Sequence, residues 1–186
     1  MPAHNEKHEI RLSKFLSLVL RHKPEAIGIA LDEGGWTDVE TLLQKAQAAG
    51  VPLTHEGLKN IVATNSKKRF VFNNAGDKIR ARQGHSVQID LGLAPQQPPD
   101  LLYHGTAQHN VAAILKQGLV NGKRQHVHLS ADYKTAVQVG QRHGRPFVFE
   151  VAAGRMFQQG FLFYQSQNDV WLTGPVPAQY LTAVTQ

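Results

Sequence analysis

SKFLSLVLRHKP, residues 13–24, decides how the first half of the chain is read. Leu12, Phe15, Leu16, Val19 and Leu20 recur at helical spacing, which predicts an amphipathic helix with these side chains against a core. At about 100° per residue, Arg21 falls opposite that stripe and His22 falls at its edge. Pro24 disfavours helical backbone at Lys23. The pattern holds a guanidinium and a titratable imidazole side by side at a helix end. The plainer reading is a solvated terminus whose cations answer the helix dipole. Taken alone, the stretch favours that reading, and a site requires matching parts elsewhere.

Outward from this helix, Ile27, Ile29 and Leu31 alternate within residues 25–32 and predict a short strand. Gly34 and Gly35 mark a turn. Thr37 is placed as an N-cap, with Glu40 completing a capping box. Leu42, Leu43 and Ala46 line the next helix, which Gly50 and Pro52 end. Leu58, Ile61 and Val62 mark a third helix over residues 54–64. KKRFVF, NNAGD and KIRARQ then read as strand, turn and strand. Three helices followed by a hairpin give a winged-helix-like order, which serves nucleic-acid binding in some domains and protein contact in others. Lys67, Lys68, Arg69, Lys78, Arg80 and Arg82 set six cations on the hairpin against one acid, Asp77. Individually these are a solvated hairpin; as a patch they point to phosphate. Phe70 and Phe72 share a strand face and are assigned to the core. Arg69 shares the other face with Val71, and burying it requires an anionic partner.

The composition narrows the classes. The chain has 186 residues, a formal net charge of +6, 41% hydrophobic residues and no cysteine. That length suits one domain or two small ones. The apolar content supports a packed core rather than global disorder. The positive charge implies an anionic partner, with nucleic acid the natural candidate. The absence of cysteine removes disulfides, thiol nucleophiles and thiolate zinc sites. No apolar run reaches the length of a membrane span, and MPAHNEKHEI does not read as a signal peptide. A cytoplasmic protein is expected.

LGLAPQQPPD, residues 91–100, carries three prolines and is read as a linker, dividing the chain into 1–92 and 93–186. The second half is strand-rich. LLYHGT, residues 101–106, is a strand with a polar tip. A helix follows through Val111, Ile114 and Leu115, then a strand over residues 126–130 and a helix over residues 131–142. FVFEVA, FLFYQ and VWLT complete an order β-α-β-α-β-β-β, which argues α+β. Neither a P-loop nor a GxGxxG fingerprint occurs, which disfavours an ordinary nucleotide-binding fold of those types.

Several short constellations could carry chemistry. His104, Gly105 and Thr106 sit at a strand end, where glycine would let a ligand approach the backbone; an ordinary turn is the plainer reading. His126 and His128 share a strand face, but no third ligand or neighbouring carboxylate completes a metal site, so no metal is expected. Ser130 suits a helix cap. VGQRHG, residues 139–144, is a glycine-flanked basic tip that would also serve as an ordinary helix end. QSQNDVWLT, residues 165–173, joins two late strands through a polar turn.

Taken together, these segments resemble the NAD-dependent RNA 2′-phosphotransferase family, known from tRNA splicing. The matching pieces are LSLVLRHKP, KKRF, IRARQGHS, YHGT, HVHLS, VGQRHG and NDVWLT, in order across nearly the whole chain. The family usually has glycine where this chain has Asp169, a residue type that tolerates left-handed backbone better than most. The resemblance implies an N-terminal winged-helix-like RNA-binding lobe and a C-terminal ADP-ribosyltransferase-like lobe with a mixed β-sheet, the active site lying between them. It implies catalytic roles for Arg21, His22, Arg69 and Arg142. It implies NAD contacts from His104, Gly105, Thr106, His128, Ser130 and Asn168. RNA contacts are expected from Lys67, Lys68, Arg80, Arg82, His85 and Ser86. A monomer is expected.

The implied reaction removes an internal RNA 2′-phosphate by transferring it to NAD. An RNA-2′-phospho-ADP-ribose intermediate forms, and the products are 2′-hydroxyl RNA, ADP-ribose 1″,2″-cyclic phosphate and nicotinamide. The phosphate nucleophile is already ionised and nicotinamide leaves uncharged, so the first step needs positioning more than a strong base; the arginine fork supplies it. The second step builds charge on phosphate oxygens, where guanidinium donors act, and His22 titrates in a range suited to proton exchange. The late turn has Gln165, Gln167, Asn168 and Asp169 but no Glu, which favours an acceptor that brings its own anion. Two other readings stand beside this one. One is ADP-ribosylation of a nucleic-acid 5′-phosphate or a protein; the other is a non-catalytic winged-helix binding module.

Overall fold

Helix α1 (Ala3–Arg21) buries the stripe read from residues 13–24, and the first half of the chain packs on it. Leu16, Val19 and Leu20 lose all solvent contact and Leu12 nearly all, with Phe15 half-buried beside them. The structure, a computed structural model, describes residues 3–184. Met1 and Pro2, from the N-terminal stretch read as no signal peptide, and Thr185 and Gln186 lie outside the described residues. The chain divides into two compact units, Met1–Gly92 and Leu93–Gln186.

In the first unit, α1 begins ten residues earlier than the predicted stretch. Its N-terminal part contains no glycine or proline to stop it, and Glu, Lys and Arg are good helix formers. After Arg21 the backbone of Lys23 becomes extended, and Pro24 opens a 3-10 turn, Pro24–Ile27, which Gly28 closes at φ +68°. The strand expected over residues 25–32 does not form. Ile29 is buried, and Ile27 and Leu31 pack on the core, so the alternation reports burial without a neighbouring strand to pair with. The predicted cap also moves by one residue. Thr37 is buried in the short strand β1 (Thr37–Asp38), and Asp38 caps α2 (Val39–Ala48) by accepting the Thr41 N–H at 2.7 Å. Helix α3 (His55–Thr64) is capped by Thr54, as its spacing suggests. Strands β2 (Phe70–Phe72) and β3 (Lys78–Ala81) form the hairpin, and the antiparallel sheet runs β1-β3-β2. Phe70 is buried in the core and Phe72 packs half-buried against it.

The second unit holds β4 (Leu102–Ala107), α4 (Val111–Gln117), β5 (Val127–Leu129), α5 (Tyr133–Gly140) and β6 (Pro146–Val151). It continues with α6 (Ala153–Gln158), β7 (Phe163–Gln165), β8 (Trp171–Thr173) and β9 (Leu181–Val184). Helix α6 and strand β9 add to the order read from sequence. The strands form two antiparallel sheets, β4-β6-β9 and β5-β8-β7, rather than one mixed sheet. The strand-helix-strand opening suggests parallel neighbours, but β5 enters the other sheet, so β4 meets β6 running against it. A bridge between Tyr103 and Ser130 stitches the sheets together through two backbone hydrogen bonds, 2.9 and 2.8 Å.

Helix α5 lies on β4 at glycine-limited distance. A Cβ on Gly105 would come 1.7 Å from the Ala136 carbonyl oxygen, and one on Gly140 would come 2.6 Å from the Thr106 carbonyl oxygen. Both would strike backbone, which cannot rotate away. The glycine of YHGT is therefore required by helix–strand packing, a reason the sequence reading did not anticipate. Gly105→Ala is expected to destabilise the fold by about 1–3 kcal/mol or more, measured by urea unfolding. A variant as stable as the parent would contradict this account of the packing.

Candidate active site

The first unit fixes Arg21 and His22 by closing the end of α1 with a segment far along the chain. The last carbonyls of a helix lack intrahelical donors. Here the Arg21 carbonyl accepts the N–H of Ser86 at 2.8 Å and that of Val87 at 3.4 Å. The Ser86 hydroxyl lies 3.0 Å from His22 Nδ1. That contact engages Nδ1. The Arg21 guanidinium sits 6.0 Å from the Phe70 ring centroid.

Arg69 is placed by the turn before β2. Asn65 Oδ1 accepts from the Arg69 backbone N–H at 3.3 Å and, more weakly, from Nη1 at 3.5 Å. Asn65 Nδ2 in turn donates to Ser13 Oγ on α1 at 3.2 Å. Lys68, whose N–H bonds the Asn65 carbonyl, adopts φ +42°, a left-handed conformation uncommon outside glycine. His22, Asn65 and Arg69 line one groove of about 580 Å³ formed by this unit alone.

The residues expected to contact RNA separate into two groups. Lys67, Lys68 and Ser86 are exposed, and Arg82 is half-buried with its N–H on the Arg69 carbonyl at 2.9 Å. Arg80 is engaged within the unit, stacked 4.5 Å over Trp36 and donating to the Gly34 carbonyl at 3.0 Å. His85 is 2% exposed, against the surface role read from sequence. Both its ring nitrogens are buried without a hydrogen-bond partner. Burial chiefly, then the charges of Arg21, His22 and Arg80, pushes its pKa down to about 3. His85 is a neutral support beneath the end of α1.

In the second unit the candidate cofactor residues converge through strand register. Tyr103 pairs with Ser130, which brings His104 of β4 beside β5. His104 Nδ1 lies 3.1 Å from the His128 carbonyl, so Nδ1 carries the proton and Nε2 presents a lone pair. Burial, the largest influence, lowers the His104 pKa; the carbonyl bond opposes this and nearby Arg124 adds to it. Leu129 pairs with Trp171, so the turn holding Asn168 meets the same sheet end as Ser130. Within that turn Ser166 donates to Asn168 Oδ1 at 2.8 Å, and Asp169 adopts φ +59°. Thr106 is buried and accepts from Asn110 at 3.2 Å.

Arg142 lies in the 3-10 turn Gln141–His143 that follows α5, so the Gly105–Gly140 contact helps determine where it emerges. A second arginine, Arg124, was not singled out from sequence. Its Nη1 donates to His128 Nδ1 at 2.9 Å, and Asn121 holds the loop by donating to the Arg124 and Gln125 carbonyls. Burial first and Arg142 second lower the Arg124 pKa, which places the two guanidinium groups within electrostatic reach. Two such cations and a neutral imidazole acceptor make a setting suited to an anionic ligand with hydroxyl donors. Arg124 and Asn65 looked like an ordinary loop cation and an ordinary helix-ending asparagine; no local signal marked them. His126 packs edge-on against Tyr164, and among the described residues no group of three or more His, Cys, Asp or Glu side chains could hold a metal. No described helix is long and apolar enough to cross a membrane.

Comparison with known proteins gives a consistent picture. The sequence profile described as "RNA 2′-phosphotransferase, Tpt1 / KptA family" matches residues 7–174. A probable RNA 2′-phosphotransferase of Agrobacterium fabrum is 56% identical over 91% of this chain and 91% of its own length. Relatives carrying the same description in Shigella boydii and Herpetosiphon aurantiacus are 52% and 51% identical. They cover 97% and 95% of this chain and 99% and 97% of their own lengths.

The buried imidazole has a measurable signature. Unfolded histidine binds a proton near its ordinary pKa, whereas folded His85 refuses one until about pH 3. Stability should therefore fall as pH drops from about 6.5 toward 3, by at most about 1.4 kcal/mol per pH unit from this residue. Urea unfolding of the parent and of His85→Gln at pH 7 and pH 5 should show the difference shifting toward the variant by about 1–2 kcal/mol. Parallel pH dependences would refute the buried neutral state.

Proposed function

The chain belongs to the RNA 2′-phosphotransferase family, and from that premise we propose that it removes an internal RNA 2′-phosphate using NAD as co-substrate. The observation that carries this reading is the pairing of His22 and Arg69 on one groove, each fixed by a separate hydrogen-bonded support, Ser86 and Asn65. A phosphate dianion needs rigid donors, because each guanidinium held in place beforehand saves reorganisation in the transition state.

In this reading Met1–Gly92 takes the RNA and Leu93–Gln186 takes NAD. The donor set of the second unit fits that group: His104 offers a lone pair to a ribose hydroxyl, and Ser130, Thr106 and Asn168 offer polar partners near it. Arg124 offers charge to a phosphate. Bound NAD supplies an electrophilic anomeric carbon whose leaving group, nicotinamide, departs uncharged. Arg21, Arg69 and Arg142 grip and orient the RNA 2′-phosphate, and no base is needed to ionise it. When the phosphate is passed on, the RNA 2′-oxygen must gain a proton and a ribose hydroxyl must lose one. His22 Nε2 exchanges that proton, with Nδ1 anchored by Ser86. The products are 2′-hydroxyl RNA, ADP-ribose 1″,2″-cyclic phosphate and nicotinamide. His85 acts as a positioning residue beneath Arg21 and His22.

Incubation with labelled NAD and an oligoribonucleotide bearing one internal 2′-phosphate should release cyclic phosphate and nicotinamide in equal amounts. A stable ADP-ribosyl adduct on RNA or protein would replace this reading with ADP-ribosylation, and salt-sensitive RNA binding without nicotinamide release would leave only a binding module. Arg69→Ala and Arg142→Ala should each lower kcat by about 100-fold or more with unchanged circular dichroism. Normal turnover in either variant would remove that arginine from the mechanism.

A further inference from the structure

Helix α1 carries a second pattern besides its core stripe. Ile10, Lys14, Leu18 and His22 recur every fourth residue, so they form one ridge along the helix surface, and all four line the groove that ends at His22. From Ile10 to His22 the ridge runs about 18 Å. The opposite wall includes Asn65, Lys67 and Arg69. Ile10 is 49% exposed and Leu18 41%; among the described residues of the first unit they are the large apolar side chains most open to solvent. His22 and Arg69 are the groove's candidate phosphate residues. The remainder has no part in the chemistry proposed above.

We infer that this groove binds the single-stranded RNA flanking the phosphorylated nucleotide. The inference rests on the proposed function, since it takes His22 and Arg69 as the phosphate end. Charge selects the occupant. Among the described residues, Lys14, Lys67 and Arg69 line the groove against one carboxylate, Glu9, whose Oε1 already accepts from Asn60 Nδ2 at 2.8 Å. A polyanion that continues from the bound phosphate meets Lys14 and Lys67 in turn. Ile10 and Leu18 supply apolar surface for base faces at intervals along the ridge. The length suits at most about five stacked nucleotides, taking about 3.4 Å for each. Among the described residues no Phe, Tyr or Trp lines the groove, so away from His22 the bases rest on aliphatic surface. The site grips backbone charge and is tolerant of sequence.

The test compares two 2′-phosphorylated substrates, a dinucleotide and a ten-nucleotide single strand phosphorylated near its middle. The parent protein should show a higher kcat/KM for the longer RNA, with an advantage that declines as salt rises. Lys14→Glu and Leu18→Ala, both on the exposed ridge, should cut that advantage by about tenfold and about threefold. Lys14→Glu should also flatten the logarithmic salt slope by about 0.7, the loss of one phosphate contact on a single strand. Lys116→Glu, the same charge change on α4 of the second unit, should keep the full advantage. Thermal unfolding checks that each variant is folded. Absence of any length advantage in the parent, its survival in Lys14→Glu, or its equal loss in Lys116→Glu would overturn the groove assignment while dinucleotide turnover upholds the proposed reaction. Failure to process either RNA would overturn both.

Discussion

The Ser86 and Val87 amides on the Arg21 carbonyl are the constraint on which the roles proposed for Arg21 and His22 depend. A helix end is the least determined part of a helix, because its final carbonyls have no donors of their own and the last turn frays. Two candidate site residues placed there would ordinarily be loose. The segment after β3 returns across more than sixty residues to supply the donors, and the Ser86 hydroxyl takes hold of His22 as well. The terminus becomes a fixed point. Burying His85 in the same segment adds bulk there without adding charge, because desolvation first, and then the influence of Arg21, His22 and Arg80, lowers its pKa to about 3.

The second unit reaches a comparable result by backbone proximity. Gly105 and Gly140 let helix and strand approach until any added methyl would collide with a carbonyl. The chain then leaves α5 through a 3-10 turn that carries Arg142, whose charge acts on Arg124 in the hydrogen-bonded run of His104, His128 and Arg124. Each hydrogen bond in that run sets a tautomer. His104 must carry its proton on Nδ1 to meet a carbonyl, and His128 must leave Nδ1 bare to meet a guanidinium. The two imidazoles therefore present opposite faces of their chemistry from neighbouring strands.

Much of this was legible in the sequence because it is periodic or punctuated. The stripe of Leu12, Leu16, Val19 and Leu20, the hairpin around NNAGD, and the third helix over residues 54–64 depend on local spacing that tertiary contacts do not override. The failures share a cause. The alternation of Ile27, Ile29 and Leu31 correctly signalled burial, but strand needs a partner edge, and none is supplied beside Pro24 and Gly28. Thr37 gave way to Asp38 because pairing with Ile79 took Thr37 into the sheet. Asn65, Arg124 and the buried state of His85 depend on contacts between residues far apart in the chain or on loop geometry, which single-sequence patterns do not encode. At Gly105 the close approach of the Ala136 carbonyl gives a packing reason for glycine that local sequence does not show.

Among the described residues, two that bear side chains hold left-handed backbone, Lys68 and Asp169, and each adjoins a residue of interest, Arg69 in one unit and Asn168 in the other. Such geometry costs of order 1 kcal/mol for an ordinary residue and far more for a branched one. Mutational drift at these two places is correspondingly narrow. A library randomised there would return glycine, asparagine and aspartate among its folded members and almost no valine or isoleucine. The permitted alphabet is set by a single torsion angle, whatever the neighbouring side chains are asked to do.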